Sequence, residues 1–209
     1  MEKTVFLFRR HPARSRDNFG RYYIQNHAPL GARLTRCLRG YTVNLVQSES
    51  RFDAITEHWV PEAMDILTPE KAYATQEDFD EVLRDDQSLF SGFDLYVVDQ
   101  EIETMPGAAL DSPLRQPTPE MKFLWFYRDA QAARPPPPGA RRVVDNRVRT
   151  KLVFNDGACE AVAPEFALIR MAWAPSAGHL GPYASDALVL EEYRFIPAPA
   201  WSSGAEAAS

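Results

Sequence analysis

Four histidines set the limits of what this chain could do chemically: His11, His27, His58 and His179. Imidazole titrates near neutrality, so a well-placed histidine can take or give a proton. No two stand four apart on a helix, and no HxH or HExxH spacing occurs, so no metal site is expected. Nor is there a GxGxxG, P-loop or GxSxG run. Nothing in the sequence therefore invokes a cofactor or a serine nucleophile. Cys37 and Cys159 have no ligand spacing and are expected to be free thiols.

His58 is the most informative residue. It interrupts the apolar strand Ile55-Thr56-Glu57-His58-Trp59-Val60, where side chains alternate, so Glu57 and His58 face opposite ways. A buried polar group there must be hydrogen-bonded or used. His27 lies in Asn26-His27-Ala28-Pro29-Leu30, and Pro29 is expected to break or kink the helix just beyond it. A helix-capping histidine is the plainer reading of that position. Arg9 and Arg10 close the first strand, and one of them must point inward. Tyr41 opens the second strand beside Gly40.

The elements that must position these groups are legible. Thr4 to Arg10 is a strand. Ser15 caps a helix carrying Phe19, Tyr23, His27, Leu30 and Leu34 at steps of three and four. Strands follow over Tyr41 to Val46 and Ala54 to Val60, then a helical stretch over Pro69 to Leu89 and a strand over Phe93 to Ile102. The order β-α-β-β-α-β is ferredoxin-like, with both helices on one sheet face and a second sheet expected to cover the other.

After a proline-rich linker, residues 106–120, the pattern restarts. Met121 to Arg128 echoes Lys3 to Arg10, and Phe166 to Trp173 echoes Asp53 to Trp59 with the tryptophans in register. Arg142 to Val153 fills the second-strand position, and Leu188 to Tyr193 the fourth. Pro135 to Pro138 stand where a first helix would be, and four prolines in a row cannot be helical. The expected fold is thus α+β: a ferredoxin-like half over 1–105 and a degenerate half over 121–198 lacking its first helix. Together they would form an intrachain pseudo-dimeric barrel. Residues 199–209 read as a disordered tail.

The net charge of -6 and pI near 5.3 argue against nucleic-acid and anionic-membrane partners, which need a basic footprint. The N-terminal apolar run is too short for a signal peptide, and no stretch approaches bilayer-spanning length. A cytoplasmic protein is expected, with a small-molecule partner and room for homodimerisation beyond the intrachain barrel.

Four short motifs together resemble a known family. Phe6-Leu7-Phe8-Arg9-Arg10-His11-Pro12, Phe19-Gly20-Arg21-Tyr22-Tyr23 with His27-Ala28-Pro29-Leu30, Leu38-Arg39-Gly40-Tyr41, and Ile55-Thr56-Glu57-His58-Trp59 look like the EthD-like branch of the dimeric α+β barrel superfamily. The resemblance covers roughly the first hundred residues. It implies a pocket between helices and sheet, His58 rather than Glu57 facing that pocket, and His27 as an active-site group. It further implies cofactor-free chemistry on small aromatic or polyketide-like compounds. Methylmuconolactone methylisomerase-type relatives carry a thiol where this chain has His58, so thiol chemistry is not carried over. Ala172 stands at the position of His58 in the second half.

The expected activity is acid–base catalysis without a cofactor: isomerisation, cyclisation, dehydration or C–C cleavage. His27, His58 and Tyr41 would be catalytic, and Arg9, Arg10, Tyr23, Asn44 and Trp59 would contact substrate. Competing readings are a non-catalytic binding barrel, a cofactor-free quinol monooxygenase, and a haem protein with His179, placed in a loop, as axial ligand.

Overall fold

A computed structural model describes residues 1–105, 112–155 and 158–199. The expected tail after residue 199 and residues 106–111 of the expected linker lie outside the described residues. In chain order the elements are β1 (Glu2–Arg10), α1 (Arg16–Tyr22), α2 (Ala28–Leu34), β2 (Gly40–Val46), β3 (Ala54–Val60), α3 (Pro69–Ala72), α4 (Gln76–Leu89) and β4 (Phe90–Met105). There follow β5 (Met121–Tyr127), β6 (Arg142–Asn155), β7 (Ala158–Val162), β8 (Leu168–Ala174), α5 (Ala177–Leu180) and β9 (Leu188–Ile196).

The strands form one antiparallel sheet in the order β4-β1-β3-β2-β9-β5-β8-β6-β7, and β4 also pairs with β6. That pairing closes eight strands into a barrel, with β7 left on the outside edge of β6. Closure removes the open sheet edges that would otherwise invite pairing with other chains. The described end of the linker is itself docked on β9, through Thr118 N–H to Glu192 O at 2.8 Å and Arg115 N–H to Arg194 O at 2.8 Å.

Alternation along each strand divides the residues between barrel interior and outer face. Val5, Leu7, Ile55, Tyr96, Leu124, Ile169, Met171, Trp173 and Leu190 meet inside. Phe6, Phe8, Tyr41, Val43, Leu95 and Val97 lie on the outer face, under Phe19, Tyr23, Ala28 and Leu89 of the helical layer. The interior also holds ions. Lys3 reaches Glu57 at 2.8 Å, Glu101 at 2.5 Å and Asn146 at 2.7 Å, and Lys122 pairs with Glu57 and with Glu192 at 2.8 Å. Each ammonium also sits over a tryptophan, Lys3 at 4.6 Å from Trp59 and Lys122 at 4.7 Å from Trp173. Burial alone would neutralise Glu57, but Lys122 and Lys3 outweigh it and hold the carboxyl far below its ordinary range. Burial likewise lowers Lys3, and Glu101 and Glu57 overcome it to raise the ammonium.

Four expectations are corrected. Of the break or kink expected at Pro29, there is no break. Tyr23–His27 forms a π turn, with Ala28 N–H donating to Tyr23 O, and the chain runs on as α2. Pro29 lacks an N–H and its ring would clash with the carbonyl one turn back; an inserted π turn relieves both. The stretch over Pro69 to Leu89 is two helices, α3 and α4. The β1/β5 echo is one residue out of phase. Lys3 opposes Trp59 and Lys122 opposes Trp173, so Lys3 matches Lys122 and not Met121. A slip of one would have exchanged the two faces. Finally, β7 was not expected at all.

Candidate active site

One cavity of about 150 Å³ lies between the outer face of β1–β3 and the helical layer. Phe6, Phe8 and Phe93 form its strand-side wall, and Ile66, Leu67 and Tyr73 cover it from the segment before α4. His27, His58, Tyr23, Tyr41 and Asp86 supply its polar lining.

His27 arrives there because of the π turn. Phe19, Tyr23, His27 and Gly31 are spaced by four, which on an ideal helix drifts by roughly 40° per step. The wider turn cancels part of that drift and keeps Tyr23 and His27 buried on one line. His27 Nδ1 lies 2.7 Å from Asp85 Oδ2, and its Nε2 lies 3.6 Å from Asp86 Oδ1. A carboxylate only accepts, so in the contact with Asp85 it is Nδ1 that donates, and Nε2 is turned toward Asp86. Tyr22 donates to the other oxygen of Asp85 at 2.6 Å. Burial pushes Asp85 up, but the bonds from His27 and Tyr22 outweigh it and keep the carboxyl below its usual range. Asp86 is different. Burial raises its carboxyl to about 6, opposed by His27 and helped by repulsion from Asp85. Its side chain is still 42% exposed, so water reaches one side of it and moderates the rise.

His58 reaches the cavity from β3, edge-on to Phe6 at 5.0 Å and tilted against Tyr41 at 4.8 Å. Burial first, and His27 second, lower it to about 3, so it is neutral across the physiological range. Its Nδ1 is buried without a hydrogen-bond partner. Burial raises the Tyr41 hydroxyl well above the ordinary phenol value, and a hydrogen-bonding interaction with Tyr23 only partly opposes it. Tyr41 therefore stays protonated and able to donate.

The structure thus brings together His27, His58, Tyr41 and Tyr23. It places the other expected contact residues elsewhere. Trp59 and Asn44 face the barrel interior, Trp59 under Lys3 and Asn44 donating to Ile55 O at 2.9 Å and Glu57 Oε1 at 3.1 Å. Adjacent strand residues cannot share a face, so His58 in the cavity excludes Trp59 from it. Arg9 and Arg10 sit at the barrel rim, where β4 bulges at Ser91 between their partners Gly92 and Phe90. Arg9 pairs with Asp94 at 3.1 Å, and Arg10 is held by Asp53 and the Arg14 carbonyl. His179 lies on α5 rather than in a loop; it is exposed, with Nδ1 2.9 Å from Ser176 Oγ. Among the described residues no group of three or more His, Cys, Asp or Glu could hold a metal ion. Cys37 and Cys159 are free thiols.

Sequence reasoning missed Asp85 and Asp86. The signal was present: Val82, Asp85, Asp86 and Leu89 are the i, i+3, i+4, i+7 stripe of α4, whose buried members are Val82 and Leu89. Two carboxylates on the apolar stripe of a helix call for a partner.

No protein-family model and no curated protein matches the chain. Among solved structures it is similar to an anthrone oxidase-like protein, with 12% identity, a TM-score of 0.55 and 97% of each chain covered. It is also similar to a protein provisionally described as a chlorite dismutase, with 9% identity, a TM-score of 0.42, and 94% of this chain and 96% of that one covered. So loose a likeness as the second carries no weight. The first shows the fold alone, a likeness that runs over nearly the whole of both chains. Among the described residues, no helix is long and apolar enough to cross a membrane.

Proposed function

We propose that this chain is a cofactor-independent acid–base enzyme acting on a small, single-ring aromatic or ring-forming compound, with one working site, in its N-terminal half. The observation that carries this is His27 held between two unequal carboxylates on the wall of an aromatic cavity. Asp85 fixes the ring and its tautomer, which leaves Nε2 as the base. Asp86 stabilises the imidazolium once Nε2 has taken a proton, and can pass that proton to another atom of the product. Such a transfer is what isomerisation, dehydration or cyclisation requires. Neutral His58 and protonated Tyr41 supply hydrogen bonds to a developing enolate or phenolate. A bound polar group would also relieve the unpartnered His58 Nδ1, which costs ~1–3 kcal/mol when left alone.

Volume decides the substrate class. Ordinary small-molecule pockets run to ~300–1,000 Å³, whereas a cavity near 150 Å³ accommodates benzene. The cavity of about 150 Å³ therefore favours one ring.

We further read the chain as a tandem member of the EthD-like branch, two halves of one plan closing a pseudo-dimeric barrel. Strand order supports this, β4-β1-β3-β2 being followed by β9-β5-β8-β6. So do the matched pairs Asn44 with Ile55 and Asn146 with Ile169.

The test is proton exchange. The protein is incubated in D₂O with single-ring phenols and hydroxylated lactones under nitrogen, and deuterium uptake at carbon is followed by mass spectrometry. Positioned proton transfer contributes ~10²–10⁴-fold, so His27→Ala should lose that much exchange with its fold intact. Unchanged exchange in folded His27→Ala protein would sink the proposal. A second reading, cofactor-free oxygenation, is favoured by the likeness to an anthrone oxidase-like structure. It begins with the same proton abstraction, after which O₂ oxidises a ring CH₂ to C=O and is itself reduced to water. Oxygen uptake in air, measured with an electrode, separates the two.

A further inference from the structure

β6 is twice as long as its neighbour β8, and only its first part, Arg142 to Arg147, pairs with β8. On its other edge β6 pairs with β4 from Val143 to Leu152 (Leu95 opposite Leu152), and beyond Arg147 it runs on past β8 to pair with β7. Nothing in the first half corresponds to this hairpin. Leu152 is buried in the aromatic core beneath the first helices, and Cys159 packs against the same cluster. Two residues on, Phe154 lies edge-on to Phe93 at 5.8 Å while remaining 48% exposed. Phe93 in turn lines the cavity and rests on Phe6 at 5.3 Å and Phe8 at 5.7 Å.

A row of rings therefore runs from the cavity wall to the surface. Its inner members belong to the first half and its outermost to the second. Phe93 is backed on the solvent side by Phe154, and both are aligned by the Leu95–Leu152 pairing. Half-exposed Phe154 closes the outer end of this row with its edge-on contact to Phe93. We infer that Phe154, on the hairpin of the second half, is a specificity-determining residue: by holding Phe93 against Phe6 and Phe8 it limits the cavity to a single-ring ligand. This rests on the reading of the cavity as an aromatic-binding site.

The experiment uses three probes of increasing size, phenol, 1-naphthol and anthrone, titrated into wild-type protein, Phe154→Ala and Phe154→Trp with calorimetric detection. Wild type should bind phenol and discriminate against the larger probes. Phe154→Ala should bind 1-naphthol roughly tenfold more tightly than wild type does, a gain of about 1.4 kcal/mol, with phenol affinity nearly unchanged. Phe154→Trp should keep the wild-type ranking. Phe93→Ala opens the same wall directly and serves as the positive control. If the size ranking in Phe154→Ala matches wild type while Phe93→Ala shifts it, the inference is overturned and the aromatic site stands. If wild type binds no probe, the aromatic reading fails and takes the inference with it.

Discussion

Over β1 to β3 the outer face of the barrel is hollow beneath its helices, whereas over β5, β8 and the start of β6 a short cover packs directly on the strands. In the first region, helices of seven and 14 residues stand off the sheet and leave room beside His58 and Tyr41. In the second, the helical pieces among the described residues are α5, of four residues, and short 3-10 turns. Ala172, at the register of His58, packs with Ala140, Val143 and Leu180. The cover is fastened by Arg170, which grips Asp145 with two nitrogens and bonds the Arg134 carbonyl just before the four prolines. Elongated helices bridge a sheet at a distance and can enclose space, whereas a proline-rich segment follows the surface and fills it. The same strand framework yields a cavity or a plug according to what is laid across it.

The largest test of this contrast is inside the barrel. Glu57 serves both buried lysines, while the corresponding position across the barrel is Met171. Glu57→Met makes the two positions alike but strips a carboxylate from two buried ammoniums. Removing one partner of a buried pair costs about 3–5 kcal/mol, so urea denaturation should show a loss of that size. A loss under about 1 kcal/mol would mean that Glu101, Glu192 and Asn146 suffice.

A smaller effect is expected from Ala172→His. It copies the site residue into a filled face with no helix to receive it. Overpacking and an unpartnered polar group should cost ~2 kcal/mol and add no exchange activity. A neutral substitution would show that the second face is looser than its packing implies.

The smallest effect is on pH. His58 is held near 3 in the folded state, against about 6.5 when free. The unfolded chain therefore binds more protons between those values, and stability rises with pH across the window. At pH 5.5, His58→Gln should regain about 1 kcal/mol relative to its effect at pH 8, by melting or denaturant titration. An equal effect at both pH values would mean that His58 is charged or solvated when folded.

The sequence reveals how far such contrasts can be foreseen. His27, His58 and Tyr41 stand out because a polar residue in an apolar strand, or beside a helix proline, breaks a pattern. Asp85 and Asp86 hide in a charged helix, where a carboxylate is unremarkable until the face it occupies is counted. Alternation places Glu57 and His58 on opposite faces without saying which is which; once His58 is in the pocket, the same rule excludes Trp59 from it. Arg9 and Arg10 escape any such rule, because a bulge at a strand end decides where they point. The hairpin of β6 and β7 has no counterpart to be compared with, and so no pattern announced it.

The β4–β6 pairing that closes the barrel has a further meaning. In a two-fold dimer each substitution appears twice, and a residue lost from one site is lost from both. A barrel closed within one chain breaks that bond between copies. Substitutions on one wall then leave the other untouched, so the face beside His58 and the face beside Ala172 can differ within a single chain.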